Sequence, residues 1–232
     1  MMDHRQFDSL GRFETDWLKA RHHFSFGGYH DPSRMGWGSL RVWNDDTIRA
    51  GTGFPPHPHA DMEIITFVRD GAISHRDSLG HAGRTIAGDV QVMSAGSGIR
   101  HSEYNMEGDT TRIFQIWILP DRPGGEPRWD TMAFPRGQDS GRFVTLASGH
   151  PERDGGLLIR ADARVLGATL KAGEAVTYPT TPDRHLYLVP STGRVTIDGR
   201  TVEARDGLAL KGVESVTITA SADAEIVMTD TR

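Results

Sequence analysis

Turn-forming residues interrupt this chain so often that long helices have no room to develop, and that punctuation restricts the fold more than anything else in it. Between the turns stand short apolar runs, among them "SLRVWND", "EIITFV", "DVQVMSA", "TRIFQIWIL", "ARVLGATL", "HLYLVPS" and "AEIVMTD". The separators are of the kind "RDG", "AGD", "STG" and "IDGR". Apolar runs of this length bounded by Gly and Asp read as β-strands, and many in succession predict an all-β sandwich or barrel. "IDGR" reads as a type I′ hairpin turn, because Asp and Gly both tolerate positive φ. Only "DSLGRFETDWLKAR", residues 8–21, can hold a short helical turn.

The 232 residues supply a core for one large domain or two small ones. Residues 120–142, rich in Pro, Gly and charge, read as a linker. We therefore expect an N-terminal domain over 1–135 and a C-terminal domain over 136–232. The halves echo each other: "FVRDGAISHRDS" then "AGDVQVM" is matched by "LVPSTGRVTIDG" then "RDGLAL". The net charge of −5, with both signs interspersed, gives no basic footprint for nucleic acid. No apolar run approaches the roughly 20 residues that span a bilayer. The first residues lack an apolar signal core, so a cytoplasmic location is the expectation. The absence of cysteine rules out disulfides, a thiolate nucleophile and a sulfur-rich metal site.

The chemistry concentrates in two stretches. "GFPPHPHADMEIITF" carries His57 and His59, which share a face if the segment is a strand. Pro55, Pro56 and Pro58 stiffen its entry. "GIRHSEYN" carries His101 and Glu103 at the same spacing, after the Gly-rich turn "MSAGSG". If the two strands face each other, three imidazoles and one carboxylate converge. That donor set suits one divalent ion of the Fe, Ni, Cu, Zn or Mn type and leaves coordination positions open. Glu63 has the same parity as His57 and His59, so either Glu63 or Glu103 can be the carboxylate, the other standing behind it or moving a proton. Arg100 and Tyr104 fall out of phase with His101 and Glu103 and point away.

The spacing Gly51-x5-His57-x-His59-x3-Glu63 resembles the first cupin motif, and Gly88, Gly96, His101 and Asn105 resemble the second, with Ser94 where a proline is usual. Across residues 22–120 the words "HFSFGGYHDP", "GWGSLRVWNDD", "GFPPHPHADMEIITFV" and "FQIWILP" are similar to the pirin family. The resemblance implies a bicupin: two tandem jelly-roll-like β-barrels, metal-binding in the N-terminal one and degenerate in the C-terminal one. It carries the ligands onto His57, His59, His101 and Glu103, with Glu63 second; a Glu103 loosely bound to the metal can also act as the catalytic base. It implies iron foremost, with Zn, Ni, Mn or Cu as alternatives. It also implies activity like quercetin 2,3-dioxygenase on a flavonol-like aromatic substrate with O₂. The rival reading is a non-catalytic, metal- or redox-sensing protein that acts through a protein partner; isomerase or epimerase chemistry is a third. A monomer is expected.

Other residues are read as structural. His75 and His81 flank a turn and are expected in a solvated loop; His22, His23 and His30 are expected at the surface. Trp37, Trp43 and Trp117 are expected to fill core space. Met93 and Met106 can pack in the core or border a pocket. His150 and His185 form no ligand pattern.

Overall fold

The computed structural model describes residues 1–135 and 140–232. The chain divides into two compact units, one of residues 11–133 with 157–161, the other of residues 1–10, 134–156 and 162–232. Each unit consists of two antiparallel sheets, and each pair of sheets is a jelly-roll sandwich of the cupin kind rather than a closed barrel.

In the first unit the larger sheet has seven strands, in the order Arg128–Ala133, Asp89–Ser94, Glu63–Asp70, Thr111–Ile118, Leu40–Ile48, Leu18–His22 and Gly11–Glu14. The smaller sheet runs Gly53–His59, Ile99–Tyr104, Ala72–Asp77 and Ala82–Ile86. Leu18, Ala20, Ile48, Val68 and Ile113 of the larger sheet pack on Ile73 of the smaller one. Alternation along each strand sets which residues reach this interior.

The second unit repeats the plan. Its larger sheet includes Met2–Arg5, Gly207–Lys211, His185–Thr192, Ala224–Thr231, Ala163–Leu170 and Val144–Ser148 in that order. Leu186, Leu188, Leu208, Leu210, Ile226 and Met228 pack with Val195, Ile197, Val202, Val216 and Ile218 in one apolar cluster. Asp198 and Gly199 have φ of 47° and 74° and join Arg194–Ile197 to Arg200–Glu203, which is the predicted I′ turn.

Several expectations are corrected. Residues 8–21 form a single 3-10 turn, Phe7–Ser9, followed by the strands Gly11–Glu14 and Leu18–His22. Pairing with Leu40–Ile48 outweighs local helix preference there. The expected linker contains the strand Arg128–Ala133, bonded in register to Asp89–Ser94. Its residues 136–139, which hold the expected domain boundary, lie outside the described residues. No helix among the described residues is long and apolar enough to cross a membrane.

Candidate metal centre and its pocket

Gly53–His59 is an edge strand, and an edge is where three prolines do least harm, since only one side of the strand has a ladder to lose bonds from. Among the described residues it pairs only with Ile99–Tyr104. His57 stands directly opposite His101, and His59 opposite Ile99. A register shift between His101 and Glu103 brings Glu103 opposite Phe54. This pairing needs Gly53: a Cβ there would sit 2.2 Å from the Glu103 carbonyl oxygen and 2.5 Å from Tyr104 Cα.

The outcome is a triad. The ring centroids of His57, His59 and His101 are 4.6 to 5.0 Å apart. One nitrogen from each lies within 4.8 Å of the others. His57 Nδ1 is 2.7 Å from the Pro55 carbonyl and so must carry the proton, which leaves the Nε2 lone pair free. That Nε2 is 3.1 Å from His101 Nε2. Burial, assisted by the neighbouring imidazoles, lowers His59 and His101 to a pKa of about 4, so both are neutral lone-pair donors near pH 7. His59 Nε2 and His101 Nδ1 are buried without a hydrogen-bond partner. Two nitrogens held about 2.1 Å from one ion at a right angle would stand about 3.0 Å apart. The triad therefore fits a divalent ion: its nitrogens converge, the His57–His101 pair stands at the separation two ligands of one ion take, and His59 Nε2 has no other partner.

Glu103 lines the same pocket but is not one of the grouped ligand atoms. Its carboxylate is 2 % exposed and held by three donors. Gln91 Nε2 and Thr66 Oγ1 donate to Oε1 at 2.6 and 3.0 Å, and Gln115 Nε2 donates to Oε2 at 2.9 Å. Gln91 is fixed in turn, since its Oε1 accepts from Thr85 Oγ1 at 2.9 Å. Glu63 is elsewhere. Residues 60–62 break the strand, with Asp61 at φ 51°, so parity does not carry from His59 to Glu63. Glu63 accepts from Ser94 Oγ, and burial raises its pKa against the pull of Arg160 and Arg128.

A row of polar side chains crosses the inner face of the larger sheet. His22 pairs with Asn44, Asn44 with Gln115, Gln115 with Thr66, and Thr66 with Gln91. His22 Nδ1 meets Asn44 Oδ1 at 2.8 Å, and burial lowers its pKa. Sequence reasoning missed this row. Its signal is a lone polar residue inside an apolar run, such as Thr66 in "EIITFV", on strands buried on both faces. The pocket above the row has a volume of about 400 Å³, and its walls are Trp17, Phe26, Phe54 and Trp117 beside the triad.

Several expectations placed elsewhere change here. His75 is buried rather than solvated: it stacks on Trp129 at 5.0 Å, bonds Asp77 at 3.1 Å and lies 5.4 Å from the His101 ring. His81 caps the same Asp77 from a partly exposed position. His22 and His23 are buried, whereas His30 is exposed. Trp43 fills the core as expected, Met93 packs with Ile64 and Ile99, and Met106 is in solvent. Arg100 points away and bonds the Pro56 carbonyl.

Comparison with known proteins agrees with this architecture. The family model described as Pirin matches residues 3–118, and that described as the Quercetinase C-terminal cupin domain matches residues 145–231. A "Pirin-like protein" of Caulobacter vibrioides is 62 % identical over 99 % of both chains. A "Quercetin 2,3-dioxygenase" of Escherichia coli K12 is 38 % identical, covering 97 % of this chain and 96 % of that one. The crystal structure of the bacterial pirin YhhW from Escherichia coli in complex with nickel(II) superposes with a TM-score of 0.93 at 37 % identity, over 100 % of this chain and 99 % of that one. With two cupin units, the imidazole triad in the first of them, and relatives matched from end to end, the chain belongs to the pirin family.

Proposed function

We propose that the protein is a metal-dependent dioxygenase that opens the heterocycle of a flavonol such as quercetin with O₂, releasing carbon monoxide and a depside ester. The observation that carries the reading is the convergence of three imidazoles into an aromatic-walled pocket that also holds a hydrogen-bonded carboxylate. The names of the relatives point the same way: one is called a quercetin 2,3-dioxygenase and another was solved with nickel(II). In this reading His57, His59 and His101 hold one divalent ion, iron foremost, and Glu103 is the fourth donor.

When bound, the ion would supply Lewis acidity that lowers the pKa of the flavonol 3-hydroxyl. The chain supplies the rest. Trp17, Phe26, Phe54 and Trp117 take the flat rings and exclude water. Glu103, oriented by Gln91, Thr66 and Gln115, accepts the proton of the flavonol 3-hydroxyl. Each of those three donors stabilises the negative carboxylate and holds it in one place, so little reorganisation is needed when the proton arrives.

The test is anaerobic iron loading of metal-free protein followed by quercetin and O₂, with flavonol absorbance and CO release as readouts. Turnover that requires both iron and His101 is the expected result. Stoichiometric iron binding without turnover would refute catalysis and favour a metal-responsive binding protein.

A further inference from the structure

Asp46 is a second carboxyl of the pocket, and no residue in the reading above uses it. It follows Asn44 on the inner face of Leu40–Ile48, opposite Ala20 on one side and Ile113 on the other. Its neighbours across the sheet are thus apolar. The side chain is 3 % exposed and lines the pocket that holds the triad. No hydrogen bond reaches it from any described residue, and its Oδ1 is enclosed without a partner. Arg69, which attracts it, is already hydrogen-bonded to Asp45 on the opposite face.

This is an expensive arrangement. A buried carboxyl with no partner destabilises a fold, and an apolar residue would fit better between Ala20 and Ile113. Every other acid of the interior is paired: Asp45 with Arg69, Glu63 with Ser94, and Glu103 with three donors. Burial, with Asp45 and Glu103 adding like charge, raises the Asp46 pKa well above the carboxylate range. A neutral carboxyl offers one donor and one acceptor at the same point, which is what a phenolic hydroxyl requires.

We propose that Asp46 is a specificity-determining residue of this pocket: its carboxyl hydrogen-bonds a hydroxyl of a polyhydroxylated aromatic substrate other than the hydroxyl beside the carbonyl. The proposal rests on the flavonol reading, since it names the group that selects among flavonols. It explains why an acid persists at a position its protein neighbours leave unsatisfied. A site built to bond a substrate hydroxyl rejects the analogue that lacks it, because the protein group is then left unpaired.

The experiment measures binding rather than turnover. Quercetin and 3-hydroxyflavone, which lacks every hydroxyl but the one beside the carbonyl, are titrated anaerobically against the metal-loaded protein. Quenching of tryptophan fluorescence reports occupancy, since Trp17 and Trp117 line the pocket. The expected result is a preference for quercetin in the wild type that falls about tenfold in Asp46→Leu. Asp46→Asn, which keeps a donor and an acceptor, should retain it within about threefold, and both variants should bind metal as the wild type does. An unchanged quercetin preference in Asp46→Leu would overturn the proposal. So would a lower melting temperature with lost metal in both variants, which would make Asp46 a structural residue. Quercetin turnover is scored separately: its absence with the binding preference intact refutes the dioxygenase reading and leaves the role of Asp46 standing.

Discussion

Replacing Gly53 by Ala should separate the two strands that carry the triad. The added Cβ would sit 2.2 Å from the Glu103 carbonyl oxygen and 2.5 Å from Tyr104 Cα. Both are backbone atoms, so neither can swing aside. Relief to an ordinary contact of about 3.4 Å needs a local strand shift of about 1 Å, roughly a fifth of the inter-strand spacing. Overpacking of this kind costs about 1–3 kcal/mol, and each ladder bond stretched beyond reach adds about 1 kcal/mol. A chain of this size loses about 2–4 °C of Tm per kcal/mol, so a fall of about 5–10 °C is expected by calorimetry. Metal affinity should fall with it, by tenfold or more, because His57 and His59 are on one strand and His101 on the other. Gly28→Ala is the control: no atom lies within 4 Å of its Cβ position and its φ is not positive. The reasoning is refuted if Gly53→Ala melts within about 1 °C of Gly28→Ala and takes up metal equally well.

Three further outcomes follow from the same geometry. His101→Ala should bind less than a tenth of the metal taken up by the wild type, as read by elemental analysis after gel filtration; Glu103→Gln should keep most of the metal yet lose about 100-fold in quercetin turnover, because the amide oxygen can still accept from Gln91 and Thr66 but the base is gone. His59 and His101 titrate near 4 when folded and near 6.5 when unfolded, so the unfolded chain binds more protons between those values and their contribution to the stability of the metal-free protein is lost as pH falls from about 6.5 to 4. Urea midpoints at pH 7 and pH 5 should show it, and bound metal should flatten the slope by keeping the imidazoles deprotonated. In the second unit Asp230 accepts from Tyr178 Oη at 2.6 Å and Arg184 Nε at 2.6 Å in a nearly buried cluster; Asp230→Ala should cost about 3–5 kcal/mol by denaturant unfolding while leaving metal binding in the first unit unchanged.

The parts of this molecule that were legible in its sequence are those set by local rules. Alternating and continuous apolar runs bounded by Gly and Asp marked strands such as Ala163–Leu170 at their true limits. The hairpin at Asp198 and Gly199 followed from positive φ alone. The His-x-His and His-x-Glu spacings placed His57, His59 and His101 together because a strand alternates. The rest depended on partners distant in sequence. Glu63 matched the parity of His57 only on the assumption of an unbroken strand, and residues 60–62 break it. His75 read as a loop residue because "SHRDSLGH" is polar, yet pairing with Ile99–Tyr104 and the face of Trp129 bury it. The polar row from His22 to Gln91 is assembled from five strands, and no window of the sequence contains more than one of its members.

The strand Met2–Arg5 finds its partner in Gly207–Lys211, about 200 residues further along the chain. A ribosome adding about 5–20 residues each second needs roughly 10–40 s to cover that distance. For all of that time the opening segment has no ladder to join, while the strands of residues 11–133 already have theirs. The segment "MDHR" is suited to the wait: it is short, charged and a poor template for stray pairing. When Gly207–Lys211 emerges, Asp206 receives His4 at 2.8 Å and the backbone N–H of Phe7 at 2.8 Å, fastening residues 4 and 7 to a segment about 200 residues away. Closure of this long loop is thereby deferred until residues 207–211 are available, after the strands of residues 11–133 have found their own partners.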